Sequence, residues 1–290
     1  MQILITSQNI ETLRQAVDFT ILFTEQAAVT VLYAYRNDRD RNQNLDTLEH
    51  LGDKIRLVNE GSVRILMKEG KPKDVILNET RARDYDLAVF GSHRRPHVRN
   101  LRPKRDARQI AQRISLPMLI VFPHQNRLSR VLMCIGGTET DQVVLQQGGL
   151  LTSQVEAACG ILHVMSQIPL RAGAELEDLE RDASSLIEHE TKEGNYLEEA
   201  REDLVGQGIE REKCRPVVRH GLTVNEIIQE SQEGEYDLIV IGGLDVSPDK
   251  SWHELRELVQ EDIADKVLAQ ADRPVLIARK PDTKINWKEF

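Results

Sequence analysis

The apolar run Tyr85-Asp-Leu-Ala-Val-Phe-Gly91 returns 151 positions later as Tyr236-Asp-Leu-Ile-Val-Ile-Gly242. Each copy is long enough for one buried strand and ends on a glycine that turns the chain out of a sheet. Flanking matches extend the repeat. Ile3-Leu4 aligns with Val131-Leu132 at an offset of 128, Val31-Leu32-Tyr33 with Ile161-Leu162-His163 at 130, and Pro117 with Pro274 at 157. An offset that only grows marks a duplicated unit whose loops have lengthened. The chain of 290 residues therefore divides into units 1–125 and 126–290, the second with an acidic helical insertion at about 170–210. The joint, Pro123 to Arg127, is short and polar and has no linker composition.

Within each unit, strand-sized apolar runs alternate with helical periodicity. In the first, Ile3–Ile5, Val29–Tyr33, Val63–Met67, Leu87–Phe90 and Pro117–Phe122 read as strands. Ile10, Leu13, Val17 and Ile21 recur at helical spacing. Asn44 is the expected N-cap of a second helix bearing Leu45, Leu48, Leu51, Ile55 and Val58, which Gly61 stops. Pro72 fits the first position of a third helix. In the second unit Thr223 and Glu226 predict a capping box. Leu255, Val259, Ile263 and Val267 predict the last helix, and Gly148-Gly149 predicts a kink or close packing. Near-continuous apolar strands between helices imply a parallel sheet covered on both faces. The fold class is α/β, as two tandem doubly wound five-stranded parallel-sheet domains.

Ligands of such sheets bind beyond the carboxyl ends of the strands, where the winding reverses. With the first strand beside the fourth, the first crevice is lined by Ser7, Gln8, Asn9, Gly91, Ser92 and His93. The second is lined by Gly136, Gly137, Thr138, Gly242, Gly243 and Leu244.

The residues just described carry a resemblance. The strand-four run, the endings Ile114–Phe122 and Ala271–Ala278, and Ile161–Val164 make each half similar to a universal stress protein domain, across nearly all of 1–280. The resemblance implies a five-stranded doubly wound sheet of the adenine nucleotide alpha hydrolase type. It also implies pairing of the two halves through Met118–Phe122 and Val275–Ala278. ATP-binding members carry an aspartate after strand one and G-x-x-G-x9-G-[ST] after strand four. Here Gln8 or a neighbour replaces the aspartate in the first half, Arg94 the second glycine, and Lys104-Arg105 the final Gly-Ser. The second half keeps Gly242 but has Gly136 for the aspartate, Asp245 for the second glycine, and Glu261 and Asp262 for the Gly-Ser. ATP binding in the family's mode is therefore not expected in either half, and no cofactor is required.

Charge separates the halves. Residues 1–125 hold 20 Lys/Arg against 15 Asp/Glu, and 126–290 hold 18 against 32, within a net charge of -9. Seven of the basic residues lie between Arg94 and Arg108, a solvated loop or an anion site. Twelve acids and three bases fill Glu175 to Asp203, where Leu176, Leu179, Ala183, Leu186 and Ile187 predict a long solvated amphipathic helix. An interface between this acidic helix and the basic loop is the sharper expectation. Few aromatics among the basic residues argue against nucleic acid. The longest apolar runs fall short of the roughly 20 residues of a membrane span, and the N-terminus reads as a strand. Cys134, Cys159 and Cys214 sit singly in sequence and read as buried reduced thiols of a cytoplasmic protein.

His93 and His97 lie four apart, but Pro96 between them and the lack of acidic or thiol partners exclude a metal site of the usual spacing. No catalytic order of nucleophile, base and acid appears. The sequence thus describes a binding or regulatory protein of stress response with degenerate ATP motifs, paired internally, able to homodimerise and acting on another protein. The alternative is noncanonical nucleotide or anion binding through loop 91–108 or the Gly-Gly loops of the second half, with weak ATP hydrolysis.

Overall fold

The computed structural model describes residues 1–93, 105–123, 126–165, 183–243 and 263–280, with backbone only for Arg105 and Asp106. Most of the basic loop, including Arg94 and Lys104, lies outside the described residues. So do Leu176, Leu179, Leu244, Asp245, Leu255, Val259, Glu261 and Asp262.

The described residues fall into two compact units, one within 1–127 and 272–280 and the other within 128–243 and 263–271. In the first unit β1 (Gln2–Ser7), β2 (Ala28–Tyr35), β3 (Val63–Glu69), β4 (Leu87–Gly91) and β5 (Met118–Val121) alternate with α1 (Ile10–Thr20), α2 (Asp38–Arg56), α3 (Pro72–Ala82) and α4 (Arg105–Ala111). The strand order is β3-β2-β1-β4-β5, every pairing parallel. Winding reverses between β1 and β4, where Ser7 stands in register with Gly91.

The second unit repeats this plan. β6 (Arg130–Ile135), β7 (Ala158–Met165), β8 (Cys214–His220) and β9 (Leu238–Gly242) follow the order β9-β6-β7-β8, again all parallel. The helices are α5 (Asp141–Gln154), α6 (Ala183–Glu188), α7 (Lys192–Gly206), α8 (Thr223–Glu233) and α9 (Ile263–Gln270). The last strand of the repeat, β10 (Val275–Ala278), clusters with the first unit. It pairs antiparallel with β5 through Val275–Ile120, Leu276–Leu119 and Ile277–Met118. Arg279 Nη1 extends the contact by donating to the Ile114 carbonyl at 2.8 Å.

The Tyr-Asp pair that opens strand four does the same work in both halves. Tyr85 Oη donates to Glu79 Oε1 at 2.8 Å, and Lys68 Nζ donates to the other carboxylate oxygen. In the second half Tyr236 Oη donates to Glu230 Oε1 at 3.3 Å and Arg219 Nε to Oε2 at 2.6 Å. Both glutamates are buried, so each needs its cation and its phenol to offset lost hydration. The aspartates tie strand four to strand one. Asp86 accepts from the Gln2 amide at 2.5 Å, and Asp237 from the Ser129 and Arg130 amides at 2.8 and 3.0 Å. Both aspartates thereby satisfy amides at the entry of a first strand.

Several local expectations need correction. Asn37, not Asn44, caps α2, its Oδ1 accepting from the Asp40 amide at 2.9 Å. Asn44 lies inside the helix and its Nδ2 donates to the Asp40 carbonyl at 2.8 Å. The helix ends at Arg56, and Gly61 instead packs where a Cβ would meet the Ala27 carbonyl oxygen at 2.1 Å. Thr223 is the first residue of α8 and forms no capping bond. Glu226 faces Arg219 at 3.7 Å. Gly148-Gly149 reflects close packing: added Cβ atoms would stand 2.9 Å from Met133 Sδ and 2.3 Å from Gln207 Oε1.

The described part of the insertion is two helices rather than one long one. Thr191 caps α7 by accepting from the Gly194 amide at 3.0 Å. Gly194 lies so near α6 that a Cβ would stand 2.1 Å from the Leu186 carbonyl oxygen. Leu186, Leu197, Ala200 and Leu204 are buried. The segment therefore covers the sheet instead of standing in solvent. Glu198 pairs with Arg201 and Arg211, and Glu202 with Arg211.

Candidate functional site

In the first half the crevice lies beyond β1 and β4. Ser7 Oγ donates to the Gly91 carbonyl at 2.9 Å and shares a hydrogen bond with the Thr12 hydroxyl. Asn9 caps α1, its Oδ1 accepting from the Thr12 amide at 3.0 Å. Its Nδ2 lies 2.6 Å from His93 Nε2, within hydrogen-bonding distance. Gly91 answers helix packing: a Cβ there would stand 1.9 Å from the Thr12 carbonyl oxygen. Ser92 is buried, and its amide donates to the Val121 carbonyl at 2.9 Å. Gln8 is half-buried beside them. These side chains form a polar floor without a carboxylate. Of the basic positions, α4 carries two that are described, Arg105 by its backbone alone at the start of the helix and Arg108, exposed in its last turn.

The second half is built differently. Gly136, Gly137 and Thr138 follow the end of β6, and Gly137 takes φ +76, a conformation that favours glycine. Three successive amides then converge on two side chains. The Gly136 amide donates to Asp141 Oδ1 at 3.1 Å, and the Thr138 amide to Asp141 Oδ2 at 2.7 Å. Between them, the Gly137 amide donates to Tyr196 Oη at 3.0 Å. Thr138 Oγ1 adds a bond to Asp141 Oδ1 at 3.1 Å, and Tyr196 Oη donates to Asp141 Oδ2. Such converging amides at a helix N-terminus favour an anion, and here the anion is the protein's own carboxylate.

The surroundings hold this arrangement. Asp141 is buried. Burial, then the Asp141 hydrogen bond, push the Tyr196 phenol above its usual range. His163 at the end of β7 lies edge-on to the Tyr196 ring, centroids 5.6 Å apart, and its Nδ1 is 3.2 Å from the Ile135 carbonyl oxygen. Gly242 meets the same loop, since a Cβ there would stand 2.4 Å from Thr140 Oγ1. Gly243 is buried next to it.

Among the described residues, Ser7, Asn9, Gly91 and His93 lie together in the first half, and Gly136, Gly137, Thr138 and Gly242 in the second. Asp141, Thr140 and Tyr196 complete the second crevice without having been singled out. Asp141 had a signal in sequence, a carboxylate at a helix start five residues beyond Gly136. Tyr196 had none, because it lies inside the insertion. Among the described residues no cluster of three or more His, Cys, Asp or Glu could hold a metal ion. No described helix is long and apolar enough to cross a membrane.

The universal stress protein family model matches residues 6–121 and again 128–279. Among solved structures, the fold is similar to a universal stress protein from Archaeoglobus fulgidus, with TM-score 0.67 at 14% identity over 96% of this chain and 98% of that one. A functionally unknown protein from Pseudomonas aeruginosa gives 0.63 at 14% identity, covering 97% and 93%. The cytoplasmic domain of a prokaryotic cation chloride cotransporter gives 0.59 at 12% identity, covering 100% and 99%. No curated protein matches the chain.

Proposed function

Because this chain belongs to the universal stress protein family, with one family domain in each half, we propose that it works as a binding and regulatory module of stress response that does not take ATP in the family's mode. The observation that carries the reading is the occupation of the Gly136, Gly137 and Thr138 amides by Asp141 and Tyr196. A triphosphate entering there would have to displace a buried carboxylate and would meet its charge. Loss of the second glycine at Arg94 and of the final Gly-Ser at Lys104-Arg105 supports the same conclusion for the first half. The domains are 1–125 and 126–290, and the module acts in the cytoplasm on another protein, without catalysis.

A thermal-shift series with ATP, AMP, cyclic nucleotides and phosphate tests this. A ligand at 100 times its Kd stabilises the folded state by about 2.7 kcal/mol. The wild-type chain is expected to show no saturable rise in Tm with ATP, and such a rise would overturn the reading.

A second reading, anion binding through loop 91–108, is favoured by the first crevice, whose floor of Ser7, Asn9, Ser92 and His93 holds no carboxylate to repel a phosphate. It predicts a phosphate or AMP response that Arg94→Glu with Lys104→Glu removes. Phosphate release from ATP by the same sample would add weak hydrolysis to this reading.

A further inference from the structure

Cys159 and Cys214 are 55 residues apart in the chain, yet their sulfurs lie 3.5 Å apart. They are register partners on the neighbouring parallel strands β7 and β8. Adjacent strands stand about 4.8 Å apart, inside the Cα window of roughly 4.4–6.8 Å that a disulfide spans without backbone movement. Both thiols are buried and reduced. We propose that Cys159 and Cys214 form a dithiol site that hydrogen peroxide oxidises to an intramolecular disulfide.

The two sulfurs have distinct roles. Cys159 donates its S–H to Cys214 Sγ. That hydrogen bond first, and the positive charges of Arg201 and Arg211 further, favour the Cys214 thiolate and lower its pKa against the opposing effect of burial. The same hydrogen bond and burial hold Cys159 protonated. Cys214 is the nucleophile on these grounds and Cys159 the resolving thiol. Access comes from the edge. β8 ends the order β9-β6-β7-β8 in its unit, and Cys214 is its first residue, directly after a short turn of 3-10 helix at Arg211–Lys213. Strand ends at a sheet edge open at lower cost than central strands. Cys134 is the internal contrast, buried on the central strand β6 with its thiol pushed up by burial.

The chemistry balances. Cys214 thiolate attacks one peroxide oxygen and the O–O bond breaks, giving Cys214 sulfenic acid and hydroxide, which takes up a proton to become water. Cys159 then attacks Cys214 Sγ, the S–O bond breaks, and hydroxide leaves as a second water with the proton Cys159 gives up. Two thiols are oxidised and one peroxide is reduced to two waters.

The test uses the full folded chain, treated with a small excess of hydrogen peroxide and then denatured under non-reducing conditions. The expected result is a chain lighter by two hydrogens, with Cys134 still alkylated by a thiol reagent and one peptide linking Cys159 to Cys214. In Cys159→Ser, dimedone should trap a sulfenic acid on Cys214, while Cys214→Ser should give no adduct on Cys159 under the same exposure. The proposal is overturned if wild-type protein keeps all three thiols while peroxide oxidises the unfolded chain. It is equally overturned if oxidation falls on Cys134. Both readouts come from the wild-type chain and do not depend on any variant folding.

Discussion

The Tyr196 hydroxyl, on α7, donates to a carboxylate oxygen of Asp141 at the start of α5, across 55 residues of sequence. The bond joins an inserted segment to the end of the first strand of the second half. With it, Asp141 and Tyr196 together accept from the Gly136, Gly137 and Thr138 amides.

Truncating this bond has a graded effect. Tyr196→Phe removes one acceptor from the Gly137 amide and one donor from Asp141, a loss of about 1–3 kcal/mol. Asp141→Ala costs more, because the Gly136 and Thr138 amides, the Thr138 hydroxyl and the Tyr196 hydroxyl all lose the same partner. Urea unfolding of both variants measures the order. Equal losses would show that the carboxylate does not organise the loop.

Alkaline titration followed by tyrosinate absorbance separates the phenols. Burial and a hydrogen bond to Asp40 raise Tyr33 to about 12. Tyr85 also rises to about 12, chiefly by burial and with Glu79 contributing. Tyr196 and Tyr236 are raised further, again by burial first. A phenol whose folded pKa is raised keeps its proton after the unfolded chain has lost it. Stability is therefore unaffected below about pH 10 and falls as pH rises from there through about 12. Ionisation of Tyr33 and Tyr85 near pH 10 in the folded chain would contradict their environment.

Acid has the opposite sign at Glu79. Burial, the largest influence, raises its pKa. The hydrogen bonds from Lys68 and Tyr85 and the charges of Lys68 and Arg83 together outweigh it, so the net direction is downward. A depressed carboxyl contributes stability above its unfolded pKa and loses it as pH falls through the folded one. Glu79→Gln should therefore cost about 1 kcal/mol at neutral pH, and the cost should shrink toward pH 3. A pH-independent difference would remove the ionised carboxylate from the account.

Two glycines should respond very differently to alanine. Gly91→Ala drives a Cβ to within 1.9 Å of the Thr12 carbonyl oxygen, backbone that cannot yield. A loss of about 3 kcal/mol is expected. Gly148→Ala meets the flexible Met133 side chain at 2.9–3.2 Å, and alanine gains about 1 kcal/mol of helix propensity over glycine. Its net effect should stay near zero. Differential scanning calorimetry compares the two.

The architecture was legible because buried parallel strands are written as apolar runs and the repeat wrote them twice. Placing the first strand beside the fourth then located both crevices. Tyr85 and Tyr236 were recognisable as markers, but their attachment to Glu79 and Glu230 depends on how α3 and α8 lie on the sheet. Asn44 stood out in sequence because the apolar helical spacing begins at Leu45, whereas the charged residues Asp38 to Arg41 already form the first turn of α2. The occupant of the second crevice was hidden for another reason. Tyr196 reaches it only through the inserted α7, and no local pattern joins residue 196 to residue 141. Cys159 and Cys214 are likewise joined by strand register alone.

The carboxylate in the Gly136–Thr138 loop is tethered, and a tethered group competes at a high effective concentration that dilution does not change. Any free phosphate sees only the fraction of molecules in which Asp141 has swung out, and its apparent Kd is the intrinsic value divided by that fraction. On the proposed reading, the second half would thereby be insulated from ordinary swings in nucleotide concentration.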